Sequence, residues 1–228
     1  MLKSVVIRRL CKKLEIEFRD ITNELELLNR FLDLGEAIDG VRYPTAYVKD
    51  QGHCFGMFRG DQLVGGYLMI TGSPFRCLEG VKTLNPNCEA LTRLNPESLI
   101  ELGGIWIDPD CADLRVSTLL WWHLVDQVSK SGKREIIYGY NLGRKGLGRM
   151  YARLNPEILF RGNPSAYSTS THSEVSLETT SVARLKAGFY SMNIDRLFRR
   201  KTERGMVSGS KHVRSIPLAA ASGIDIID

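Results

Sequence analysis

The sequence predicts an α/β domain built on one mixed sheet, and two observations carry this prediction. Segments typical of strands alternate with segments of helical periodicity along most of the chain. An apolar strand at 98–107, a helical pattern from about residue 111 and a second apolar strand at 134–140 also follow one another directly. Two strands joined by a helix usually lie parallel, with a right-handed crossover. We therefore expect a parallel pair inside a sheet that is flanked by helices.

The first half of the chain contains a strand, a helix and a hairpin. Residues 14–18 alternate apolar and polar side chains with period two, which is typical of a strand. Thr22 can cap the helix that follows, and this helix ends near Gly40. Residues 53–59 and 63–71 are apolar and are joined by a Gly-Asp-Gln turn, which predicts a hairpin.

Two connections are predicted to lack regular structure. Residues 41–52 have no clear period, which indicates an irregular link. Residues 73–96 contain three prolines and two Asn-Pro pairs. A loop of this length in a compact domain is usually a functional flap or a disordered segment.

The second half continues the alternation of helices and strands. Helical spacing at 145–154 is stopped by an Asn-Pro pair, and a short strand follows at 158–161. The Ser/Thr-rich segment after it predicts one more strand around 166–171. Apolar residues at helical spacing predict a C-terminal helix at about 182–200.

Length and composition limit the class of protein. A chain of 228 residues with 43% hydrophobic content can bury one core. No stretch of about 18 apolar residues is present, so we expect no membrane span. Five cysteines without a C-x-x-C pair favour reduced thiols over a zinc site or disulfides. We expect a cytoplasmic protein that uses no metal.

The positive charge is concentrated near the C-terminus. Residues 184–214 carry a net charge of +7, whereas the rest of the chain carries −2. Such a segment is either a solvated tail or a docking surface for an acidic partner. We predict a single domain at 1–203, with a core at about 14–162, and a disordered tail at 204–228.

The strand at 98–107 holds the candidate site. Glu101 lies between two apolar residues, where a carboxylate is costly unless it is paired or used in chemistry. Gly103-Gly104 follows, and glycine inside a strand marks a bulge or the close approach of a ligand. A bulge would separate the two parallel strands at one end. The N-terminus of the next helix, near Asp113, would direct free N–H groups at the same region and form an anion site.

From Leu14 to Gly162 the chain resembles the GNAT-fold N-acyltransferases. The resemblance rests on the order of elements, on the bulged strand followed by a D-P turn and helix, and on an N…Y-x-x-L-N-P…F-x-G segment that begins at Asn141. The resemblance implies a mixed sheet with a splayed strand pair. In that family a Q/R-x-x-G-x-G/A turn binds the pyrophosphate of coenzyme A. Here residues 112–117 keep only the small Ser117, which disfavours ordinary acetyl-CoA use.

Within this fold the chain is most similar to acyl-homoserine-lactone synthases and long-chain N-acyl amino acid synthases. These enzymes take an acyl group from acyl carrier protein and have a glutamate in an E-[LIS]-x-R strand. Residues 101–107, ELGGIWI, match the glutamate but place Gly104 where the lactone synthases have arginine. The resemblance therefore implies transfer of a fatty acyl group from acyl carrier protein to the amine of an amino acid or similar small acceptor. It implies no tightly bound cofactor, with acyl carrier protein or acyl-CoA as the cosubstrate.

Acyl transfer to an amine needs a base, a donor for the developing oxyanion and an acid for the leaving thiolate. Glu101 is the candidate base, and a structural salt bridge is its alternative. The resemblance implies that Tyr151 is the general acid, although a tyrosine on a short helix is also a common packing residue. The candidate donor-binding residues are Gly103, Gly104, Arg115, Ser117 and Asn141.

Two other functions remain open at the level of sequence. One is a CoA-dependent N-acetyltransferase that acts on a small amine or a protein. The other is a catalytically inactive GNAT-like binding module, with nucleic-acid binding through the basic tail as a less favoured variant.

Overall fold

A mixed seven-stranded sheet forms the centre of the computed structural model, in which residues 2–164 and 174–191 are described. The strands are β1 (Ile16–Asp20), β2 (Gly52–Arg59), β3 (Gln62–Ile70), β4 (Leu99–Ile107), β5 (Glu135–Asn141), β6 (Glu157–Gly162) and β7 (Val175–Ser181). The helices are α1 (Leu2–Leu14), α2 (Leu25–Asp39), α3 (Thr45–Gln51), α4 (Arg76–Leu84), α5 (Ala90–Arg93), α6 (Leu114–Lys130), α7 (Lys145–Ala152) and a helical stretch at 182–191. The α/β class and the mixed sheet are confirmed.

The predicted parallel pair is β4 and β5. The spatial order of the strands is β1-β2-β3-β4-β5-β7-β6, and every neighbouring pair except β4–β5 is antiparallel. Helix α6 makes the crossover between β4 and β5. Because helices pack on both faces, apolar residues point in both directions from the central strands.

β4 and β5 pair over only part of their length. The register runs from Leu99 opposite Glu135 to Leu102 opposite Tyr138, and it then ends. β5 continues to pair with β7 over its whole length, so β5 diverges from β4 beyond Leu102. On the other side of β4 the register with β3 skips Gly104 and Ile105. This is the predicted bulge, and it places a splayed strand pair at the centre of the sheet.

The two faces of the sheet carry separate apolar cores. One core packs β-strand side chains against α1, α6 and the helical stretch at 182–191, with Leu119, Leu124 and Phe189 among its members. The other core lies beneath α2 to α5 and includes Phe31 and Leu78. Glu101 and Tyr43 lie on the second face, whereas Tyr151 packs on the first.

The expectation of a long irregular segment at 73–96 is wrong. Helix α4 and the short α5 occupy it, and a 3-10 turn (Pro96–Ser98) follows. The prolines stand before, between and at the start of these short elements, where a missing N–H costs little. Asn95 caps the last turn by accepting a hydrogen bond from the Glu97 N–H at 3.0 Å. The segment at 41–52 was also expected to be irregular, but it contains α3.

The last strand of the sheet differs from the expectation. β7 has the polar sequence VSLETTS and inserts between β5 and β6, where it was not predicted. The strand predicted around 166–171, the end of the C-terminal helix and the tail lie outside the described residues. Throughout 2–164 and 174–191, each helix is too short or too polar to span a bilayer.

Candidate active site

A cavity of about 120 Å³ opens where β4 and β5 separate. Its walls come from these two strands and from α4, α7 and β7. The residues predicted from sequence that line it are Glu101, Gly103, Gly104, Asn141 and Tyr151. The divergence of the strands therefore brings most of the predicted site together, whereas Arg115 and Ser117 do not line this cavity.

Glu101 is fully buried at the point where the strands begin to diverge. Its Oε2 accepts a hydrogen bond from the Cys77 backbone N–H at 2.8 Å. Among the described residues, Oε1 has no hydrogen-bond partner although it is buried. The carboxylate thus occupies the N-terminus of α4, where the positive end of the helix dipole favours negative charge. Arg76, the residue before Cys77, also acts on this carboxylate through its positive charge, and the role of Glu101 as the base stays a prediction.

Burial raises the pKa of Glu101 to about 7. The hydrogen bond from the Cys77 N–H and the positive charge of Arg76 act in the opposite direction and keep the pKa from rising further. A carboxyl group with a pKa near neutrality can both take up and release a proton at physiological pH. The same burial, together with the negative charge of Glu101, raises the pKa of the neighbouring Cys77 thiol, so that thiol stays neutral.

The glycine pair forms the bulge at the cavity wall. A side chain at Gly103 would meet the hydroxyl of Tyr43, because an added Cβ would lie 2.1 Å from that oxygen. Gly104 has φ +53°, a left-handed conformation that glycine adopts without strain. Burial raises the pKa of Tyr43, and the charge of Glu101 raises it further. The Tyr43 hydroxyl is therefore a protonated group beside the bulged backbone.

Tyr151 lies on α7 within a group of aromatic rings. Its ring stacks on Tyr138 with centroids 4.4 Å apart and packs against Tyr140 at 5.0 Å and Trp121 at 6.1 Å. Burial raises the pKa of its hydroxyl above the usual range for tyrosine. Tyr151 is thus a packing residue and a protonated cavity-lining group at once, and its role as an acid remains a proposal.

Asn141 lines the cavity at the end of β5, but its side chain also has a local structural contact. Its Oδ1 accepts a hydrogen bond from the Gly143 N–H at 2.8 Å. This contact closes a turn of the kind that asparagine commonly makes. Asn141 therefore has a structural role in this turn, and its role in donor binding stays a prediction.

The N-terminus of α6 does not offer the free anion site that was expected. Asp113 caps this helix, and its Oδ1 accepts hydrogen bonds from the Arg115 and Val116 N–H groups, both at 2.7 Å. Its Oδ2 pairs with the Arg115 guanidinium at 2.9 Å. The hydrogen bond from the Val116 N–H lowers the pKa of Asp113, and Arg115 contributes to the same direction. The chain's own carboxylate thus takes the place of an external anion, and the donor-binding roles of Arg115 and Ser117 stay predictions.

Several residues of the site were not predicted from sequence. Tyr43 follows α2, and Arg76 and Cys77 begin α4, so all three belong to segments that were expected to be irregular. The helical spacing of Cys77, Leu78 and Val81 is the sequence signal that could have revealed α4. No group of three His, Cys, Asp or Glu side chains suited to a metal occurs within 2–164 and 174–191.

A second buried carboxylate lies behind the cavity on β7. Glu178 accepts hydrogen bonds from Tyr138 at 3.2 Å, from Tyr140 at 3.0 Å and from Ser176 at 2.7 Å. Arg161 also pairs with it at 3.3 Å. These contacts satisfy Glu178 and fix the two tyrosine rings on which Tyr151 packs.

Solved structures of N-acyltransferases have this fold. FeeM, an N-acyl amino acid synthase from uncultured soil microbes, superposes with a TM-score of 0.56 at 15% identity, covering 75% of this chain and 98% of that one. Arabidopsis thaliana NAA60 in complex with acetyl-CoA gives a TM-score of 0.51 at 13% identity, covering 74% and 99%. A Staphylococcus aureus N-acetyltransferase gives 0.50 at 10% identity, covering 74% and 98%. Neither a family model nor a curated protein sequence matches the chain.

The fold predicted from the resemblance is therefore confirmed. The chain has the GNAT fold, with the splayed pair β4–β5 at its centre.

Proposed function

We propose that the protein is an N-acyltransferase that moves an acyl group from the thioester of acyl carrier protein to the amine of an amino acid or similar small acceptor. The observation that carries this proposal is the buried carboxylate of Glu101, which has a pKa of about 7 and lines the cavity between the diverging strands. If this buried position of β4 had only a packing role, an apolar residue would be more stable there than a glutamate.

Glu101 acts as the base in this proposal. The α-ammonium of an amino acid has a pKa of roughly 7.7–8.0 and must lose a proton before its nitrogen can attack. Oε1 of Glu101 has no other partner among the described residues and accepts this proton, directly or through a water. The amine nitrogen then bonds to the thioester carbon, and the C–S bond breaks.

The other lining residues act on the charges that develop during transfer. In this proposal the backbone N–H groups of the bulge at Gly103 and Gly104 and the hydroxyl of Tyr43, which all line the cavity, donate hydrogen bonds to the carbonyl oxygen. Tyr151 gives its proton to the departing thiolate and recovers one from solvent or from Glu101. The raised pKa of both hydroxyls keeps them protonated before the reaction.

The N-terminus of α6 supports a carrier protein as the donor. Asp113 already accepts hydrogen bonds from the Arg115 and Val116 N–H groups and pairs with the Arg115 guanidinium. A pyrophosphate in the same place would meet a carboxylate instead of open donors, and like charges repel. The phosphopantetheine arm of a carrier protein has one phosphate and no adenine nucleotide. It therefore brings less negative charge to the N-terminus of α6 than CoA does.

The second candidate is an acyl-CoA-dependent or acetyl-CoA-dependent N-acetyltransferase. The structure of Arabidopsis thaliana NAA60 with acetyl-CoA, which shares this fold, favours it. In that case the CoA pyrophosphate would be held by groups other than the α6 N–H pair that Asp113 occupies.

The test is to offer one acyl group on three donors, namely acyl carrier protein, pantetheine and CoA, with a mixture of amino acids and simple amines. Mass spectrometry detects N-acyl products, and a thiol assay detects the released carrier. We expect product from all three donors, fastest from the carrier protein. Product from CoA alone would favour the second candidate. Absence of both product and free thiol with every donor would contradict acyl transfer.

A further inference from the structure

Arg76 is the one basic residue among those that line the cavity in the described part of the chain. The acidic residues in the same lining are Asp39 and Glu101, and Asp39 is paired with Arg144 at 3.0 Å. The cavity is therefore lined by a carboxyl group with a pKa near neutrality and by a guanidinium cation. This pair of groups has the charges needed to meet a molecule that carries both an amine and a carboxylate.

We propose that Arg76 binds the carboxylate of the acceptor, so that the acceptor is an α-amino acid and not a simple amine or a protein N-terminus. This inference rests on the proposed acyl-transfer function. It adds a specificity-determining residue and narrows the class of acceptor to amines with a free carboxylate close to the nitrogen.

The first support is the way Arg76 is held. Its backbone N–H donates to the Tyr47 hydroxyl at 3.1 Å, which fixes the start of α4. Its guanidinium donates to the Arg42 carbonyl at 3.3 Å and lies over the Tyr43 ring, 4.6 Å from the centroid. Contacts of this kind hold a guanidinium in place, and arginine binds carboxylates through paired, charge-assisted hydrogen bonds.

The second support is the proximity of Arg76 to the proposed base. Arg76 precedes Cys77, whose N–H is bonded to Glu101 at 2.8 Å. The ring beneath the guanidinium belongs to Tyr43, whose hydroxyl lies against Gly103, two residues beyond Glu101. The positive charge of Arg76 also lowers the pKa of Glu101. The two charged groups thus flank one wall of the cavity.

In an α-amino acid a single carbon joins the amine to the carboxylate, so one small molecule presents both charged groups to the cavity that Arg76 and Glu101 line. With the carboxylate on Arg76, the nitrogen is held near Glu101, which removes its proton. A simple amine would leave Arg76 without a carboxylate and would lose this orientation. Charge-assisted hydrogen bonds of this kind change affinity by about 10- to 100-fold.

The experiment compares three acceptors with the same side chain: the amino acid, its carboxamide and the amine without a carboxylate. For the wild type we expect kcat/KM for the amino acid to exceed that for the other two by about 10- to 100-fold. Arg76→Gln should remove this preference mainly by raising KM for the amino acid, and Arg76→Lys should remove part of it. Lys82→Gln, at an exposed position on the same helix, is the control and should keep the preference.

A purely structural role for Arg76 gives a different result. Loss of folding or of cavity shape would lower kcat/KM for the three acceptors by the same factor, and that outcome would overturn the inference. Equal kcat/KM values of the wild type for the amino acid, its carboxamide and the amine would also overturn the inference, and no variant is needed for that result.

A binding measurement separates this inference from the proposed function. Calorimetry can compare an N-acyl amino acid with the matching N-acyl amine, and no turnover is needed. Tighter binding of the N-acyl amino acid, lost in Arg76→Gln, would support the carboxylate site even if no donor were active. Equal binding of both compounds would overturn it, while acyl transfer to a simple amine would leave the proposed function intact.

Discussion

Two helices of this protein begin on a carboxylate, and the two carboxylates behave in opposite ways. Asp113 caps α6 from the preceding position and has an exposed side chain. Glu101 reaches the start of α4 from β4, 24 residues away in sequence from its partner Cys77, and is fully buried. The pKa of Asp113 is lowered by its hydrogen bonds, whereas burial raises the pKa of Glu101 to about 7.

This difference shows that a hydrogen bond to a helix N-terminus does not by itself decide the pKa of a carboxyl group. Both groups accept hydrogen bonds from N–H groups at a helix N-terminus, and both lie in a favourable dipole. Water solvates the exposed carboxylate of Asp113, so hydrogen bonding dominates and the group stays charged. Glu101 lacks that solvation and has an oxygen without a partner in the described structure, so desolvation dominates. One carboxylate is suited to hold a helix, and the other to exchange a proton.

The largest expected effect is on turnover in Glu101→Gln. The glutamine oxygen can still accept the hydrogen bond from the Cys77 N–H, so the cap remains while the base is lost. We expect kcat at neutral pH to fall by roughly 10² to 10⁴, the usual range for loss of a general base. Glu89→Gln, an exposed glutamate away from the cavity, is the matched control. A loss below about tenfold would remove Glu101 from the mechanism.

The next effect is on stability as a function of pH. The pKa of Glu101 rises from 4.5 to about 7 on folding, so the folded state binds more protons between these values. The associated stability is fully present below pH 4.5 and is lost as pH rises through about 7. We expect the free energy of unfolding of the wild type, relative to that of Glu101→Gln, to fall by about 3 kcal/mol between those limits.

Denaturant unfolding of both proteins at pH 5 and pH 8 measures this difference. Asp113 does not change the pH dependence of the free energy of unfolding between pH 5 and pH 8, because its lowered pKa confines its titration to more acidic pH. Parallel pH dependences for the wild type and Glu101→Gln would mean that Glu101 is not the titrating group.

A smaller effect is expected at the other helix. Asp113→Ala removes the acceptor for two backbone N–H groups and should lower the free energy of unfolding by about 1 kcal/mol. Asp113→Asn keeps an acceptor, so it should lower the free energy of unfolding by only roughly a few tenths of a kcal/mol. Thermal or denaturant unfolding at neutral pH measures both. A loss for Asn equal to that for Ala would show that the charge, and not the hydrogen bonds, stabilises α6.

The smallest effect concerns the choice of donor. Asp113→Ser keeps a capping oxygen but removes the negative charge from the start of α6. We expect kcat/KM with acyl-CoA to rise about 2- to 5-fold, the range of charge effects at an exposed helix terminus. The value with acyl-pantetheine, which lacks the pyrophosphate, should not change. An equal rise with both donors would contradict the role given to Asp113.

Much of the sheet could be predicted because its signals are local. The apolar strands on either side of α6 required a parallel pair, and Gly103-Gly104 in β4 predicted the bulge that separates β4 from β5. Glu101 could be selected for the same reason, since a carboxylate inside an apolar run is visible in the sequence alone.

The missed elements have sequences whose meaning depends on their surroundings. The prolines around α4 suggested a loop, but they fall outside the helix, and the burial of Leu78 and Val81 stabilises it. β7 is rich in Ser and Thr, and its polar Glu178 is acceptable inside the protein only because two tyrosines and Ser176 donate to it. The two tyrosines that donate to Glu178 lie on β5, about 40 residues earlier in the chain, so the residues around Glu178 do not reveal them.

The sequence by itself determined the features whose causes lie within a few residues: the bulge at Gly103-Gly104 and the strand–helix–strand order around it. Only the tertiary structure decided which carboxylate loses its water and which groups surround it. The start of α4 meets Glu101 of β4 through the Cys77 N–H and brings Arg76 to the cavity, whereas Tyr43 comes from the segment after α2. A pKa follows from the solvent and charges around a group, and these come from segments far apart in the chain.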